Sequence, residues 1–157
     1  DDVESRGLGD VYKRQLHDIG MVSVPNTILA KYPYFNVKER AAYRRHCLAG
    51  ASMMENIPGF GHIMKMVLHH HEHWDGSGYP KRLKGVNIPL GARIIAVCDY
   101  YDRRCKPCTH NWQWRSAVTP TRIRDLSGIY FDPDGVKAFF DAVAQNDLIL
   151  EQGSAHA

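Results

Sequence analysis

The sequence lacks the features that would mark a membrane, secreted or nucleic-acid-binding protein. Its longest apolar stretch, residues 88–98, is interrupted by Pro89, Gly91 and Arg93, whereas a membrane span needs roughly 20 apolar residues. The formal net charge is only +3, and the acidic start has none of the basic and apolar segments of a signal peptide. We therefore expect no membrane segment and no DNA partner.

Cysteine is also scarce, which excludes a small domain built on disulfides. The four cysteines are too few and too unevenly placed for such a scaffold, so a reducing cytoplasm is the expected location. Cys47 and Cys98 lie in stretches with helical apolar spacing and are interpreted as small buried hydrophobic residues. Cys105 and Cys108 form a C-x-x-C motif without the second pair that a four-sulfur zinc site requires.

Histidine, by contrast, is abundant. Hydrophobic residues form 44% and charged residues 24% of the 157 residues, which is normal for a folded domain. Nine residues are histidine, however, and six of these fall between His46 and His73. Ordinary folding does not require this density, and it indicates metal or proton chemistry. Motifs for a side-chain nucleophile or a Walker loop are missing from the sequence.

The spacing of apolar residues predicts helices and few strands. Asn36 is suited to cap a helix, Pro58 and Gly59 end it, and Pro89 is well placed to begin another. A proline after Asp132 marks the start of a final helix. Helices are predicted to end at Gly20, to span residues 37–55 and 61–71, to begin at 89, and to span 133–145. Residues 106–120 are predicted to be irregular. The fold class is therefore all-α, a single helical bundle.

Several side chains on or near these helices can bind metal ions: His17, Asp18, His46, His70, His71 and Asp99. Facing helices can direct such ligands into the core of a bundle, and imidazole with carboxylate suits zinc, iron and manganese. Adjacent residues on a helix point about 100° apart, so the first two can share a centre only if the helix ends there. For each single histidine a surface or half-buried role is the simpler alternative, and the other five need no metal role.

Together these motifs resemble the HD-GYP family, a subgroup of the HD-domain metal phosphohydrolases. The resemblance is carried by residues 16–20 (LHDIG), by Arg45 and His46, and by residues 70–80 (HHEHWDGSGYP). It continues at residues 88–99 (IPLGARIIAVCD) and 128–133 (GIYFDP). It covers residues 16–144 and is highly specific, because eleven consecutive residues fit in order with the rest.

The resemblance implies an HD-domain-like helical bundle that binds two or three divalent metal ions, iron or manganese. It further implies hydrolysis of the bacterial second messenger cyclic di-GMP to pGpG or GMP by a metal-activated water. The implied metal ligands are His17, Asp18, His46, His70, His71 and Asp99. Of these, Asp18 is the implied bridge and acts with His17 in catalysis. The implied substrate contacts are Gly78, Tyr79 and Pro80, with Arg103 and Lys106 as candidate phosphate contacts.

Two departures from the family pattern bear on activity. The family has a lysine directly after the signature glycine, where this chain has Met21, whose thioether cannot hold phosphate charge. The family's Arg-Pro-Tyr segment after the ligand aspartate is replaced in residues 100–108. Two alternatives follow. One is a degenerate module that binds cyclic di-GMP or a protein partner without hydrolysis, and the other is a phosphohydrolase for another nucleotide.

The expected organisation is an unstructured leader or cloning remnant at 1–15, the HD-GYP domain at 16–150 and a disordered tail at 151–157. Family members carry a further Glu and His ligand upstream of the HD pair, and the residues before His17 contain no histidine. We therefore expect a domain that is incomplete at its N-terminus. A preceding sensory or receiver domain and a GGDEF-type protein are the expected partners.

Overall fold

The computed structural model describes residues 16–105 and 112–154, and these residues fold into packed helices. No strand occurs within those two ranges, where an isolated bridge pairs Ser127 with Phe131. The all-α prediction is therefore confirmed. The predicted leader at 1–15 and Lys106 lie outside the described residues. Short 3₁₀ turns cover Ile19–Ser23 and Gly85–Asn87, and the helices are α1 (Asn26–Leu29), α2 (Val37–Arg44), α3 (His46–Met54), α4 (Gly61–His69), α5 (Leu90–Cys105), α6 (Trp112–Asp125) and α7 (Pro133–Ser154).

The helix predicted for residues 37–55 is interrupted at Arg45, which separates α2 from α3. It begins as predicted, because Asn36 caps α2 in a complete capping box. At the interruption, the backbone N–H of Arg45 makes the short hydrogen bond of a 3₁₀ turn, and the Tyr43 carbonyl accepts from the His46 ring. Both contacts disturb the regular helical pattern. His46, directly after the break, is fully buried.

The structure corrects the prediction for the region after α5. Residues 106–120 are predicted to be irregular, but α6 already begins at Trp112 and continues through Pro120. A proline inside a helix costs about 3 kcal/mol, so tertiary packing must offset it. Thr119 and Ile123 are almost completely buried, and Ile123 packs into an apolar cluster with α5 and α7. This burial explains why the helix forms despite its proline.

The last helix begins at the predicted residue and is tied to α5. Pro133 is its first residue, and Asp132 accepts a hydrogen bond from the backbone N–H of Asp134 at 3.1 Å. The other carboxylate oxygen of Asp132 pairs with Arg93. Arg93 also donates from Nε to the Ile88 carbonyl at 3.0 Å. Arg93 therefore joins the start of α5 to the start of α7, which is a structural role.

Two helix ends differ from the prediction. The helix predicted to reach residue 71 ends at His69, and the one predicted to end near residue 145 continues to Ser154. Residues 148–150 are Leu, Ile and Leu, which favour helix, and no stop signal occurs before Gly153. Residues 151–154 are therefore helical rather than part of a disordered tail, while 155–157 lie outside the described residues.

Two apolar clusters hold these helices together. One joins α3 to α4 through Met54, Ile63 and Val67. The other joins α5, α6 and α7 and contains Val97 and Ile123. Burial of these side chains, at about 25 cal/mol per Å² of apolar surface, is the main force that fixes the helices relative to one another. Within the described part of the chain, no helix is both long enough and apolar enough to cross a membrane.

Candidate metal centre

Seven side chains with metal-binding atoms gather in two neighbouring clusters. In each cluster, one ligand atom from every member lies within 4.8 Å of the others. The histidine cluster consists of His46, Cys47, His70 and His71. The carboxylate cluster consists of His17, Asp18 and Asp99. The structure therefore brings all six predicted ligands together and adds Cys47, which the sequence interpretation missed.

Gly20 allows the segment that carries His17 and Asp18 to pack directly against α3. A Cβ atom on Gly20 would lie 1.9 Å from the His46 carbonyl oxygen and 2.6 Å from the backbone nitrogen of Gly50, so no side chain fits there. Residue 16 is helical, residues 17 and 18 form a turn and Ile19–Ser23 a 3₁₀ turn, so the helix ends before Gly20 and not at Gly20 as predicted. Because the helix ends, the adjacent histidine and aspartate both reach the centre, as the prediction requires.

Asp18 lies between the two clusters and directs one oxygen toward each. Its Oδ1 is 3.5 Å from His46 Nε2 and 3.4 Å from His70 Nε2. Its Oδ2 is 3.3 Å from His17 Nε2, which in turn lies 3.6 Å from Asp99 Oδ1. A carboxylate in this position can bridge two cations, which is the arrangement of two-metal hydrolytic sites.

Backbone carbonyls orient the two buried histidines. His46 Nδ1 donates to the Tyr43 carbonyl and His70 Nδ1 to the Val67 carbonyl, both at 2.7 Å. In a neutral ring this leaves Nε2 as the acceptor. The two Nε2 atoms lie 3.4 Å apart, so two lone pairs face each other. Two acceptors cannot satisfy one another, whereas a cation between them satisfies both.

Buried atoms without partners also fit a metal ion. Within the described residues, Asp18 Oδ1 and His71 Nε2 have no hydrogen-bond partner although solvent does not reach them. Burial opposes the charge of Asp18, but its interactions with the His17 and His70 rings hold its pKa far below the ordinary range. Burial lowers the pKa of His46 and, more strongly, that of His71. The cluster thus favours an ionised Asp18 carboxylate and neutral rings at His46 and His71, the forms that bind metals.

Arg103 is a cation placed at the carboxylate cluster. Its Nη2 donates to Asp99 Oδ2. Burial works against the charge of the guanidinium, yet the neighbouring Asp99 carboxylate keeps the pKa of Arg103 above its ordinary value. The Tyr43 hydroxyl interacts with Arg103, and burial raises the pKa of Tyr43 to about 12. Of the two predicted phosphate contacts, the structure therefore places Arg103 at the centre, while Lys106 lies outside the described residues.

Glu72 fixes the loop that contains residues 78–80. Its buried carboxylate accepts backbone hydrogen bonds from Lys81 at 2.7 Å and from Leu83 at 3.1 Å. Gly78 is needed in this loop, because a Cβ there would lie 2.2 Å from a backbone nitrogen. Gly78 is therefore packed against the backbone, and it shapes the loop for the two residues that follow.

Tyr79 connects the histidine cluster with a basic groove. Its ring stacks on His71 with centroids 4.9 Å apart, and the Arg44 guanidinium lies 4.7 Å from its centroid. The groove has a volume of about 670 Å³ and is lined by Tyr79, Pro80 and three arginines of α2 and the junction: Arg40, Arg44 and Arg45. No acidic side chain is among its described lining residues, so the groove favours an anionic ligand.

The missed ligand candidate, Cys47, had one weak signal in the sequence. It follows His46 directly, but adjacent side chains on a regular helix point about 100° apart, so the two are not expected to face one centre. The disturbed backbone at Arg45 and the inward packing of α3 could not be read from the residue pattern. The structure places the sulfur 3.4 Å from His46 Nε2.

The comparisons with known proteins agree with this geometry. The family model described as the HD domain matches residues 11–134. The chain belongs to the HD domain family, and the resemblance to the HD-GYP phosphohydrolases is confirmed.

Several curated relatives share this region. A cyclic di-GMP phosphodiesterase of Pseudomonas aeruginosa is 38% identical over 129 residues, covering 82% of this chain and 31% of that protein. The cyclic di-GMP phosphodiesterase response regulator RpfG of Xanthomonas campestris is 33% identical, covering 88% of this chain and 37% of its own length. A 3′3′-cGAMP-specific phosphodiesterase of Vibrio cholerae is 30% identical, covering 80% of this chain and 24% of that protein. The chain thus spans between about a quarter and two fifths of the length of these relatives.

A solved structure supports the fold. The crystal structure of a cyclic GMP-AMP-specific phosphodiesterase of V. cholerae superposes with a TM-score of 0.57 at 23% sequence identity. The match covers 82% of this chain and 36% of the other. The HD-domain architecture therefore accounts for most of the chain.

Proposed function

We propose that this chain is the catalytic domain of a metal-dependent cyclic dinucleotide phosphodiesterase, acting in the cytoplasm on cyclic di-GMP to form pGpG or GMP. The observation that carries the proposal is the position of Asp18, with one oxygen toward each of two ligand clusters. The names of the curated relatives support the substrate class.

The proposed ligands are His46, His70 and His71 on one side and His17 and Asp99 on the other, with Asp18 shared. Two bound divalent ions, iron or manganese, would neutralise the phosphodiester oxygens and lower the pKa of a water that then acts as the nucleophile. The protein holds the donors in their binding forms. Backbone carbonyls fix the two buried rings, and the ionised carboxylate lies between the clusters.

The substrate phosphates have two cationic environments close to the centre. Arg103 is held at Asp99, next to the more open cluster, and is the proposed contact for the reacting phosphate. Tyr79 separates the histidine cluster from the groove that Arg44 lines, and a base or second phosphate of the dinucleotide fits that groove. We assign substrate contacts to Arg103, Tyr79 and Pro80, with Gly78 shaping the loop.

A second candidate function is binding of the dinucleotide without hydrolysis. The observation that favours it is Met21, which occupies the 3₁₀ turn directly after the ligand segment and offers no charge to a phosphate. The two candidates differ in a single measurable step, cleavage of the phosphodiester bond.

Turnover under anaerobic conditions tests both candidates. The full chain is loaded with Fe(II) or Mn(II), incubated with cyclic di-GMP or 3′3′-cGAMP, and the products are separated by ion-exchange chromatography. We expect pGpG or GMP from cyclic di-GMP, and loss of product when a chelator is added. Binding by calorimetry without any product supports the second candidate. If only 3′3′-cGAMP is cleaved, the proposed reaction class stands, but the substrate is 3′3′-cGAMP instead of cyclic di-GMP.

A further inference from the structure

The histidine cluster contains a thiol that the proposed function does not use. Cys47 is completely buried, and its Sγ lies within 4.8 Å of a ring nitrogen of each of His46, His70 and His71. The distance from Sγ to His46 Nε2 is 3.4 Å. The sulfur and three imidazole nitrogens therefore surround one small volume.

The surroundings of Cys47 differ from those of a cysteine that only fills the core. It belongs to neither of the apolar clusters formed by the described residues, although its helix contributes Met54 to one of them. Its polar neighbour His71 has a buried Nε2 without a hydrogen-bond partner in the described part of the chain. Together with the opposed Nε2 atoms of His46 and His70, this atom points to an ion in the cluster.

We propose that Cys47 Sγ is a metal ligand, which adds one sulfur to the donor set formed by three imidazole nitrogens of His46, His70 and His71 and the shared Asp18 oxygen. This inference rests on the metal centre of the proposed function and goes beyond it, because it assigns a ligand and a metal preference. On binding, the metal–sulfur bond forms, the S–H bond breaks, and the proton leaves to solvent, with no change in oxidation state.

The donor set has a consequence for the choice of metal. Thiolate is a soft ligand and three imidazoles are borderline, so the set favours zinc or ferrous iron over manganese. The carboxylate cluster has oxygen donors from Asp18 and Asp99 and lacks sulfur, so it suits harder ions. The two clusters are therefore expected to differ in the metals they select.

Cobalt(II) is a direct probe of the proposed sulfur ligand. Co(II) bound by thiolate shows a sulfur-to-metal charge-transfer band in the near ultraviolet, which nitrogen and oxygen ligands do not produce. We expect this band when Co(II) is added to the full chain in which Cys105 and Cys108, the thiols of the C-x-x-C motif, are replaced by serine. We expect the band to be lost in Cys47→Ser and kept in Cys98→Ser. Cys98 is a matched control because it also lies next to a candidate ligand, Asp99, but belongs to neither cluster.

A competition experiment tests the metal preference. We expect Cys47→Ser to weaken Zn(II) binding about tenfold or more while Mn(II) affinity changes less than about twofold. Circular dichroism of the metal-free variants checks that each one is folded. The cobalt spectrum of the chain that retains Cys47 does not depend on the folding of the Cys47→Ser variant.

The outcomes separate this inference from the proposed function. Co(II) that binds the chain that retains Cys47 without the charge-transfer band, or a band that survives in Cys47→Ser, overturns the sulfur ligand and leaves the metal centre intact. If no Co(II), Zn(II) or Mn(II) binds, both the inference and the metal dependence of the proposed function fail. A band together with an inactive chain supports the inference and contradicts only the hydrolytic activity.

Discussion

The two ligand clusters differ in how far solvent reaches them and in what holds them. In the histidine cluster, His46 is 0% and His70 is 2% exposed, and backbone carbonyls lock both rings. In the carboxylate cluster, the side chains of His17 and Asp18 are 17% and 35% exposed, and Asp99 is paired with an arginine. One half of the centre is closed to solvent, and the other is partly open to it.

This difference indicates a division of tasks within the proposed enzyme. Rings that are buried and fixed hold an ion in one geometry without further reorganisation. The open cluster admits water and an anionic substrate, and Arg103 lies beside it. Asp18 has polar contacts in both clusters, so it connects the two halves, and the His17 ring also meets the His70 ring edge-on.

The largest expected effect comes from removing the charge that the two halves share. Asp18→Asn keeps the size of the side chain but removes the anion that faces both clusters, so we expect both metal sites to weaken. Turnover should fall about a thousandfold or more, which corresponds to several kcal/mol. Metal content after gel filtration and initial rates check this. Asp125→Asn, an exposed control on α6, should change neither; retention of both metals by Asp18→Asn contradicts the bridging position.

The second prediction concerns the contact that places the two halves next to each other. Gly20→Ala puts a methyl group where the His46 carbonyl already lies, so the ligand segment must move away from α3. We expect a loss of about 3 kcal/mol or more in the free energy of unfolding, because the atoms that the new methyl group meets belong to the backbone of α3 and cannot rotate away. Gly61→Ala is the matched control, since nothing lies within 4 Å of its Cβ position. Urea denaturation measures both variants, and equal midpoints speak against the close packing.

A smaller effect is expected on the open side alone. Arg103→Gln removes the cation at Asp99, and a charge-assisted hydrogen bond is worth about 1.5–3 kcal/mol, so kcat/KM should fall roughly ten- to a hundredfold. Arg104→Gln is the control, because that guanidinium stacks on Tyr100, 4.3 Å from the ring centroid. The histidine cluster should keep its ion in both variants. Equal rates for the two variants would remove Arg103 from substrate binding.

The smallest effect is expected for Glu72, which fixes the loop next to the histidine cluster. Glu72→Gln replaces one of two carboxylate oxygens that accept backbone hydrogen bonds from Lys81 and Leu83. We expect a loss of about 1–2 kcal/mol in stability and a higher KM with kcat nearly unchanged, because the loop with Tyr79 is less well held. The exposed Glu55→Gln serves as control. A lower kcat at unchanged KM shows instead that Glu72 acts on the chemistry.

The sequence was sufficient to single out six candidate donors that the structure brings together, but their division into two clusters was not visible in it. Motif spacing identified His17, Asp18 and Asp99 as candidate ligands, and the predicted helices were expected to bring them together in the core of the bundle. The division into two clusters depends on the approach of Gly20 to α3, which is a contact between segments distant in the sequence and has no local pattern. Cys47 is buried as predicted, but apolar spacing alone does not show that its sulfur lies beside three imidazole rings.

The helices show the same limit. Capping by Asn36 and the entry at Pro133 were predictable, since both depend on neighbouring residues. The break at Arg45 depends on a hydrogen bond from the His46 ring, and α6 forms across Pro120 because burial of Ile123 offsets the missing hydrogen bond. Tertiary packing decides such cases, and a single sequence does not display it.

In the proposed enzyme, Asp18 joins two metal-binding clusters of different character, and anomalous diffraction can locate the ion in each of them. Crystals of the full chain loaded with Mn(II) and Zn(II) are measured at energies around both absorption edges. We expect two anomalous peaks, one on each side of the Asp18 carboxylate, with zinc on the side of the histidine cluster. A single peak, or peaks that leave Asp18 without a bound metal, would contradict it.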